Sequence, residues 1–211
     1  MQKGIFITIE GGEGVGKSTN IDAARSFLQE NRIDFIQTRE PGGTLLAEKV
    51  RALLLEDHGE DFDTTAELLL MFAARAQHLN TLIKPALDRG TWILCDRFTD
   101  ATYAYQGGGR QLDTKLIAQL ETLVQHDLRP DLTIILDLDP AAGIERARQR
   151  GELDRFEQEQ LAFFQRVRAS YLEIAEREPQ RCAVIDASRS VEDVSASLQT
   201  ILKERLKRFL P

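Results

Sequence analysis

The segment Gly11–Ser18 constrains this chain more than any other, because its sequence, GGEGVGKS, fits the pattern G-x-x-x-x-G-K-[ST]. It lies between a predicted strand, Gly4–Ile9, and a predicted helix, Lys17–Gln29, which is the context that the pattern requires. The glycines let backbone N–H groups surround a phosphate, and the helix N-terminus adds positive partial charge. The loop is therefore predicted to bind a nucleoside triphosphate.

Three side chains of this loop have separate expected roles. Lys17 is expected to reach the β- and γ-phosphates, and the Ser18 hydroxyl is expected to contact Mg²⁺. Glu13 would repel a bound phosphate, so we expect it to point away and meet a donor such as a sugar hydroxyl of a second substrate. The alternative for Glu13 is an exposed carboxylate without a partner. The full set predicted to bind the triphosphate is Gly11, Gly12, Glu13, Gly14, Val15, Gly16, Lys17, Ser18 and Thr19.

Short apolar runs alternate with helical patterns along the chain. The runs are continuous, which is typical of strands buried on both faces of a parallel sheet. This alternation predicts one α/β domain over residues 1–211, with a doubly wound parallel five-stranded sheet flanked by helices. The other predicted strands are Ile33–Thr38, Trp92–Cys95, Leu132–Leu138 and Cys182–Ile185. The other predicted helices are Leu45–Leu55, Thr64–Arg89, Asp113–His126, Pro140–Arg150, Gln158–Glu178 and Val191–Phe209.

Charge and composition exclude several classes of protein. The chain has 27 Lys and Arg residues against 34 Asp and Glu, and this net charge of −7 disfavours broad nucleic-acid binding, which needs a basic surface. No apolar run approaches the ~20 residues that cross a bilayer, and no targeting signal precedes the first predicted strand. Cys95 and Cys182 lie singly in apolar runs, which indicates reduced core thiols. We expect a cytoplasmic protein without a nucleic-acid or membrane partner.

Two further polar loops follow the second and third predicted strands, at Arg39–Gly43 and Asp96–Arg110. Ligands bind at the carboxyl ends of parallel strands, so we expect these loops and the phosphate loop to face one cleft. Asp96 occupies a position suited to Mg²⁺ or its water shell, and Arg97 could bind a phosphate with two hydrogen bonds. The alternative for the neighbouring residues Arg39 and Glu40, and likewise for Asp96 and Arg97, is an ion pair that closes the end of a strand.

A buried arginine is expected in the helix that contains Leu68 and Arg75. This helix is apolar nearly all round, so Arg75 is costly there unless it is paired or points into a polar cavity. Met71 lies one turn earlier on the same face, and the two side chains could bind a flat heterocycle. The alternative is core packing, with Arg75 paired to a carboxylate.

A cluster of arginines surrounds Gly151. A mobile arginine loop that closes over transferring phosphates would neutralise charge and exclude water. The alternative is a solvated, charged helix end. The four residues are Arg146, Arg148, Arg150 and Arg155.

The motifs, taken in order, resemble those of the bacterial thymidylate kinase family, which are P-loop nucleoside monophosphate kinases. The resemblance covers nearly the whole chain, and its most specific segments are Arg39–Gly43 (REPGG), Asp96–Phe98 (DRF) and Ala104–Gly109 (AYQGGG). The guanine motif N-K-x-D, the switch motif D-x-x-G after the second or third strand and the transporter motif L-S-G-G-Q are all missing from the sequence.

The resemblance implies transfer of the γ-phosphate of ATP to dTMP with Mg²⁺, which gives dTDP for dTTP synthesis, and it implies a homodimer. Lys17, Asp96, Arg97 and Arg150 match the catalytic residues, with Ser18 and Asp96 near the metal. For dTMP, Glu13 matches the carboxylate on the sugar 3′-hydroxyl. Arg39 and Arg97 match the residues that bind the acceptor phosphate, and Arg51 is expected on the same side of that pocket. Arg75 matches the arginine that binds the base, with Met71 or Phe72 covering the ring and with Thr102 and Gln106 on its other edge. The implied lid spans residues 141–157 and carries Arg148, Arg150 and Arg155, of which Arg150 is expected to approach the phosphates.

Two other functions remain open at this stage. A kinase for another nucleoside monophosphate or for a deoxynucleoside would share the phosphate loop and lid, but it would bind another base or lack the acceptor-phosphate site. A P-loop ATPase or signalling module would release phosphate without an acceptor. His58, His78 and His126 lie outside the motif loops and are expected to be non-catalytic, because an anionic acceptor needs no strong general base. The candidate dimer faces are the Leu68–Phe72 and Asp113–His126 helices.

Overall fold

A parallel five-stranded sheet forms the centre of the computed structural model, which describes residues 3–149 and 154–210. The strand order is β2-β3-β1-β4-β5, and all four neighbouring pairs in the described chain are parallel. The predicted sheet is thereby confirmed, with small shifts in the strand ends. The strands are β1 (Phe6–Gly11), β2 (Phe35–Arg39), β3 (Trp92–Asp96), β4 (Leu132–Asp137) and β5 (Cys182–Asp186).

Helices cover both faces of this sheet. Side chains of Ile7 and Ile9 on β1 pack into the apolar layer shared with α1 and α9, while Phe6 belongs to the layer on the opposite face. The helices are α1 (Lys17–Glu30), α2 (Leu45–Leu55), α3 (Thr64–His78), α4 (Lys84–Asp88), α5 (Thr99–Thr102), α6 (Thr114–Gln125), α7 (Pro140–Arg148), α8 (Leu161–Arg177) and α9 (Val191–Leu206). No helix among the described residues combines the length and apolar character needed to cross a bilayer. Cys95 and Cys182 are buried and unpaired, as expected.

Two helical predictions need correction. The single helix predicted over Thr64–Arg89 is divided by a π-helical segment, Leu79–Ile83, between α3 and α4. The segment Asp96–Arg110, predicted as a loop, contains α5 and the π-helical stretch Tyr103–Gly109. Its glycines disfavour a helix in isolation, but they let α8 approach closely: a Cβ at Gly109 would lie 2.4 Å from the Phe163 ring. Tertiary packing therefore overrides local propensity here.

The position of β1 explains where a ligand can bind. The chain leaves β1 for β2 and β3 on one side of the sheet and later adds β4 and β5 on the other side. The crossovers diverge at this point, which opens a crevice at the carboxyl ends of the strands. The phosphate loop follows β1 and therefore lies at the centre of the crevice.

Helix α7 supports the phosphate loop through backbone contacts. A Cβ at Gly143 would lie 2.3 Å from the backbone oxygen of Glu13, and a Cβ at Gly14 would lie 2.0 Å from the backbone oxygen of Gly143. Rotation of a side chain cannot relieve either contact. The loop and the helix can therefore pack this closely only with glycine at both positions.

The first prediction concerns Gly143→Ala. Alanine normally stabilises a helix relative to glycine, but here the added methyl group should push α7 away from the loop and lower the free energy of unfolding by about 1–3 kcal/mol. Urea denaturation followed by circular dichroism measures this change. Ala142→Gly on the same helix is the control, with an expected loss of roughly 0.5–1 kcal/mol from propensity alone. A more stable Gly143→Ala variant would contradict the close packing.

Candidate active site

A cleft of about 720 Å³ opens at the carboxyl ends of the strands. The phosphate loop contributes Glu13, the loop after β2 contributes Glu40 and Pro41, and the end of β3 contributes Asp96 and Arg97. The three loops predicted to face one cleft are therefore brought together.

Lys17 lies over the phosphate loop. Its Nζ donates to the carbonyl oxygen of Gly12 at 2.7 Å and lies 3.4 Å from that of Gly11. Burial and the nearby Arg97 guanidinium lower the pKa of Lys17, although neighbouring carboxylates oppose this shift. The ammonium group is thus held where an incoming phosphate can replace the carbonyl oxygens as its partner.

Glu13 points to donors on neighbouring segments, as its position in the loop predicts. Its Oε1 accepts hydrogen bonds from the Arg97 guanidinium and from the Tyr105 hydroxyl, both at 2.6 Å. The Arg97 guanidinium also lies over the Tyr105 ring, 4.7 Å from its centroid. Burial raises the pKa of Tyr105 well above its ordinary value, so the hydroxyl keeps its proton as a donor. Tyr105 was not among the predicted site residues, and its only signal in the sequence is its place in the AYQGGG segment.

The backbone of Arg97 is unusual. Its φ of 65° lies in the left-handed region, which costs a non-glycine residue about 1–3 kcal/mol. Three contacts hold it there: its N–H donates to Ile9, and its guanidinium donates to the carbonyl oxygen of Gly11 at 2.9 Å and to Glu13. This conformation directs the side chain back toward the phosphate loop.

A buried carboxylate, Glu10, lies directly before the phosphate loop. It accepts hydrogen bonds from the Phe98 N–H at 2.6 Å and from the Tyr171 hydroxyl at 2.8 Å. Burial, assisted by the nearby Asp100 carboxylate, raises the pKa of Glu10 to about 8. Glu10 was not among the predicted site residues, although a glutamate inside an otherwise apolar strand is a visible signal in the sequence.

Arg75 is paired and buried. Its Nε donates to Glu40 at 2.7 Å, and its Nη2 donates to the Thr102 hydroxyl at 2.9 Å. Burial would raise the pKa of Glu40, but Arg75 and His78 outweigh it and the pKa is lowered. His78 therefore packs against the motif loop through Glu40, a contact that its place in the sequence does not reveal.

One nitrogen of Arg75 stays unsatisfied. Its Nη1 is buried and has no hydrogen-bond partner among the described residues. Buried donors are nearly always paired, so a ligand atom is a suitable partner for this one. Arg75 is therefore paired with a carboxylate, as in the second of the two interpretations of the sequence, and it also keeps one N–H donor available to a ligand.

Met71 and Phe72 have different surroundings. Met71 lines the cleft, as do Thr102 and Gln106. Phe72 is only 2% exposed and packs in a cluster with Leu68 and other apolar side chains, with its ring 4.8 Å from the Arg75 guanidinium carbon. Of the two candidates for covering a base, Met71 therefore lies in the cleft.

Positive charge accumulates near Arg51, which also lines the cleft and donates to the carbonyl oxygen of Pro41 at 2.9 Å. Burial, together with the Arg39 and Arg97 guanidinium groups, lowers the pKa of Arg51. Such mutual repulsion would be relieved by an anion, and a phosphate fits this region.

Several predicted residues do not line the cleft. Arg39 forms an ion pair with Glu48 at 2.8 Å, and its side chain is 52% exposed beside a neighbouring groove. Arg155 donates to Glu67 at 2.7 Å, and Arg148 is exposed. Arg150, the predicted lid residue nearest the phosphates, lies outside the described residues.

The oxygen ligands that Mg²⁺ prefers are present. Ser18 and Asp96 both line the cleft, and Asp96 Oδ1 is buried without a partner in residues 3–149 and 154–210. Hydroxyl and carboxylate oxygens suit this hard cation, which keeps water and substrate phosphates as further ligands. No cluster of three or more His, Cys, Asp or Glu side chains in the described chain could hold a metal alone. The site thus fits a metal that arrives with a nucleotide.

Comparison with known proteins gives one consistent result. The family model described as thymidylate kinase matches residues 9–198. The thymidylate kinase of Chromohalobacter salexigens is 58% identical over 208 residues, 98% of this chain and 98% of that protein. The thymidylate kinase of Teredinibacter turnerae is 56% identical over 207 residues, 98% of this chain and 99% of that protein. The crystal structure of thymidylate kinase from Ehrlichia chaffeensis superposes with a TM-score of 0.76 at 37% identity, covering 95% of this chain and 99% of that one.

The second prediction concerns Glu10 and pH. Between its ordinary pKa of 4.5 and its raised pKa of about 8, folded Glu10 holds a proton that the unfolded chain releases. The free energy of unfolding should therefore fall as pH rises through this range, by an amount on the order of a few kcal/mol. Glu10→Gln mimics the protonated acid, so the variant should lose less stability and be more stable than the parent protein near pH 8.5.

Chemical denaturation at several pH values measures this dependence. Glu176→Gln, an exposed change on α8, is the control and should leave the pH profile unaltered. Parallel profiles for Glu10→Gln and the parent protein would show that Glu10 is not protonated in the folded state.

Proposed function

The chain belongs to the thymidylate kinase family, and from this premise we propose that its cleft transfers the γ-phosphate of ATP to dTMP and releases ADP and dTDP. One observation carries the proposal: the cleft extends in both directions from the phosphate loop. Met71 and Gln106 line it on the β2–β3 side, and Ala187 and Val194 line it on the β5 side. Two nucleotides can therefore meet end to end at the phosphate loop.

We assign the β5 side to ATP. An apolar surface suited to a flat base lies on this side, formed by Ala187, Val191 and Val194. From there the phosphates reach the backbone N–H groups at the start of α1 and the Lys17 ammonium. Mg²⁺, held by Ser18 and Asp96 together with the nucleotide, would neutralise charge on the transferring phosphate.

We assign the β2–β3 side to dTMP. The unsatisfied Nη1 of Arg75 supports a hydrogen bond to a carbonyl of the base, and Met71 would cover the ring. Thr102 and Gln106 occupy the same part of the cleft. Because Phe72 is packed in the apolar cluster, it supports the base only indirectly, through Arg75.

The sugar and phosphate of dTMP fit the charged part of this side. The carboxylate of Glu13 would accept a hydrogen bond from the 3′-hydroxyl, and Arg97 and Arg51 would bind the 5′-phosphate. Arg39 matches the same role in the family motif, but it must first leave its ion pair with Glu48.

The chemistry consists mainly of positioning and charge neutralisation. The acceptor is an anionic phosphate, so its attack needs no strong general base. Lys17 on the donor and Arg97 on the acceptor reduce the repulsion between the two reacting phosphates. Arg150 would add a further positive charge from the lid at about residues 141–157, as the family resemblance implies.

We further propose that residues 1–211 form one catalytic domain, which functions as a homodimer in the cytoplasm. The apolar residues Leu68 and Phe72 of α3 pack with Ile117 of α6 inside the chain. Leu69 on α3 and Leu123 on α6 instead stay exposed and are available for a partner copy. Sedimentation velocity tests this proposal, which a monomer at micromolar concentration would contradict.

The third prediction is the substrate preference. Coupled ADP release with Mg·ATP should be fast with dTMP and much slower with dUMP, dCMP, dGMP, AMP and thymidine, with dTDP identified by mass spectrometry. Strong turnover of another monophosphate would be consistent with the proposed phosphoryl transfer but would contradict the assigned contacts to the base. Turnover of thymidine without a 5′-phosphate would favour a deoxynucleoside kinase. ADP release without any phosphorylated acceptor would overturn the kinase proposal.

The fourth prediction separates two lid arginines. Arg150→Ala should lower kcat by about 10³-fold or more, because an arginine that stabilises transferring phosphates contributes at least this much. Arg148→Ala, a change of an exposed residue on the last turn of α7, serves as the control and should lower kcat far less. Equal losses in the two variants would contradict the special role of Arg150.

A further inference from the structure

A buried carboxylate outside the assigned catalytic groups connects three segments around the base side of the cleft. Glu67 lies in the first turn of α3, and its side chain has no solvent exposure. Its Oε1 accepts from Gln106 Nε2 at 2.8 Å, and its Oε2 accepts from Arg155 at 2.7 Å. Arg110 also donates to both oxygens at 3.3 Å. Neither the phosphate chemistry nor the lid explains why this group is paired to Gln106.

The pairing determines which end of the Gln106 amide faces Glu67. A carboxylate that is paired with two guanidinium groups can only accept hydrogen bonds, so the amide must present its NH₂ group. The opposite orientation would place the amide oxygen against a buried negative charge. Glu67 therefore holds the amide of Gln106 in one of its two orientations.

The other end of this amide is the one available to a ligand. Gln106 lines the cleft, and its Oε1 accepts no hydrogen bond from the described residues. The Gln106 side chain thus presents a hydrogen-bond acceptor to whatever base occupies this side, while Arg75 Nη1 remains available as a donor. A free glutamine would be able to rotate and present either group.

We propose that Glu67 is a specificity-determining positioning residue, which orients Gln106 so that its Oε1 accepts from the N3–H of a pyrimidine-2,4-dione. Thymine carries a donor at N3 and matches this acceptor, whereas cytosine carries a lone pair at N3 and opposes it. The inference rests on the proposed binding of dTMP on the β2–β3 side. Glu67 acts through Gln106 and does not itself touch the substrate.

The test is Glu67→Gln. The new amide can donate to or accept from Gln106, so Gln106 becomes free to rotate and to donate to the N3 of cytosine. Calorimetric titration of dTMP, dCMP and ATP gives three values of Kd for each variant. We expect the ratio of Kd for dCMP to Kd for dTMP to fall at least about tenfold, with the Kd for ATP unchanged.

Arg110→Gln is the matched control, because it removes an ion pair from the same carboxylate and leaves the carboxylate in place. It should lower the thermal midpoint but keep the dCMP to dTMP ratio of the parent protein. If Glu67 had only a structural role, Glu67→Gln would weaken the binding of dTMP and of dCMP by the same factor. An unchanged ratio would therefore overturn the inference.

A measurement on the parent protein covers the case in which Glu67→Gln does not fold. The Gln106 side-chain amide proton that faces Glu67, assigned in ¹⁵N spectra, should have a hydrogen-bonded shift without nucleotide and keep it when dTMP binds. Loss of this hydrogen-bonded shift on addition of dTMP would show that the NH₂ group turns to the base, and would overturn the inference. If dTMP does not bind at all, the proposed function fails, whereas normal binding with an unchanged ratio defeats only the role of Glu67.

Discussion

The ion pair between Glu13 and Arg97 is the interaction on which the rest of the site depends. Its 2.6 Å contact joins the phosphate loop after β1 to the end of β3, and Tyr105 adds a second donor to the same carboxylate oxygen. The pair removes a negative charge from the phosphate cradle and holds an arginine in a strained conformation beside it. In the proposed function, this one contact prepares the loop for the phosphates of ATP and positions Arg97 for the phosphate of dTMP.

Buried charges of this kind recur in and around the cleft, and each is compensated by neighbouring charges of opposite sign. Glu40 is paired with Arg75 and His78, while Glu67 is paired with Arg110 and Arg155. An unpaired buried charge would destabilise the fold, so removing one partner costs more than the pair contributes. The same pairs fix the orientation of side chains around the proposed base site. Stability and the proposed substrate recognition therefore depend on the same contacts.

Much of this arrangement was predictable because the relevant signals are local. The phosphate loop and the five strands are each encoded in a short run of sequence, and the carboxyl ends of parallel strands must share one edge. The π-helical turn at Tyr103–Gly109 was not predictable, since its glycines indicate a loop until α8 packs on them. The pairing of Glu10 and of Glu67 was not predictable for a related reason: their partners are distant in sequence, at Tyr171 and at Arg155.

The sequence by itself determined the parallel α/β fold, the phosphate loop and the family, because these follow from periodicity and from motifs with fixed spacing. Only the tertiary structure decided which side chains face the cleft. It placed Met71 in the cleft and Phe72 in the apolar cluster, and it paired Arg39 with Glu48 and Arg155 with Glu67. The physical reason is that packing between separate helices, strands and loops selects the partner of a charged or apolar side chain, and no local sequence pattern records that choice.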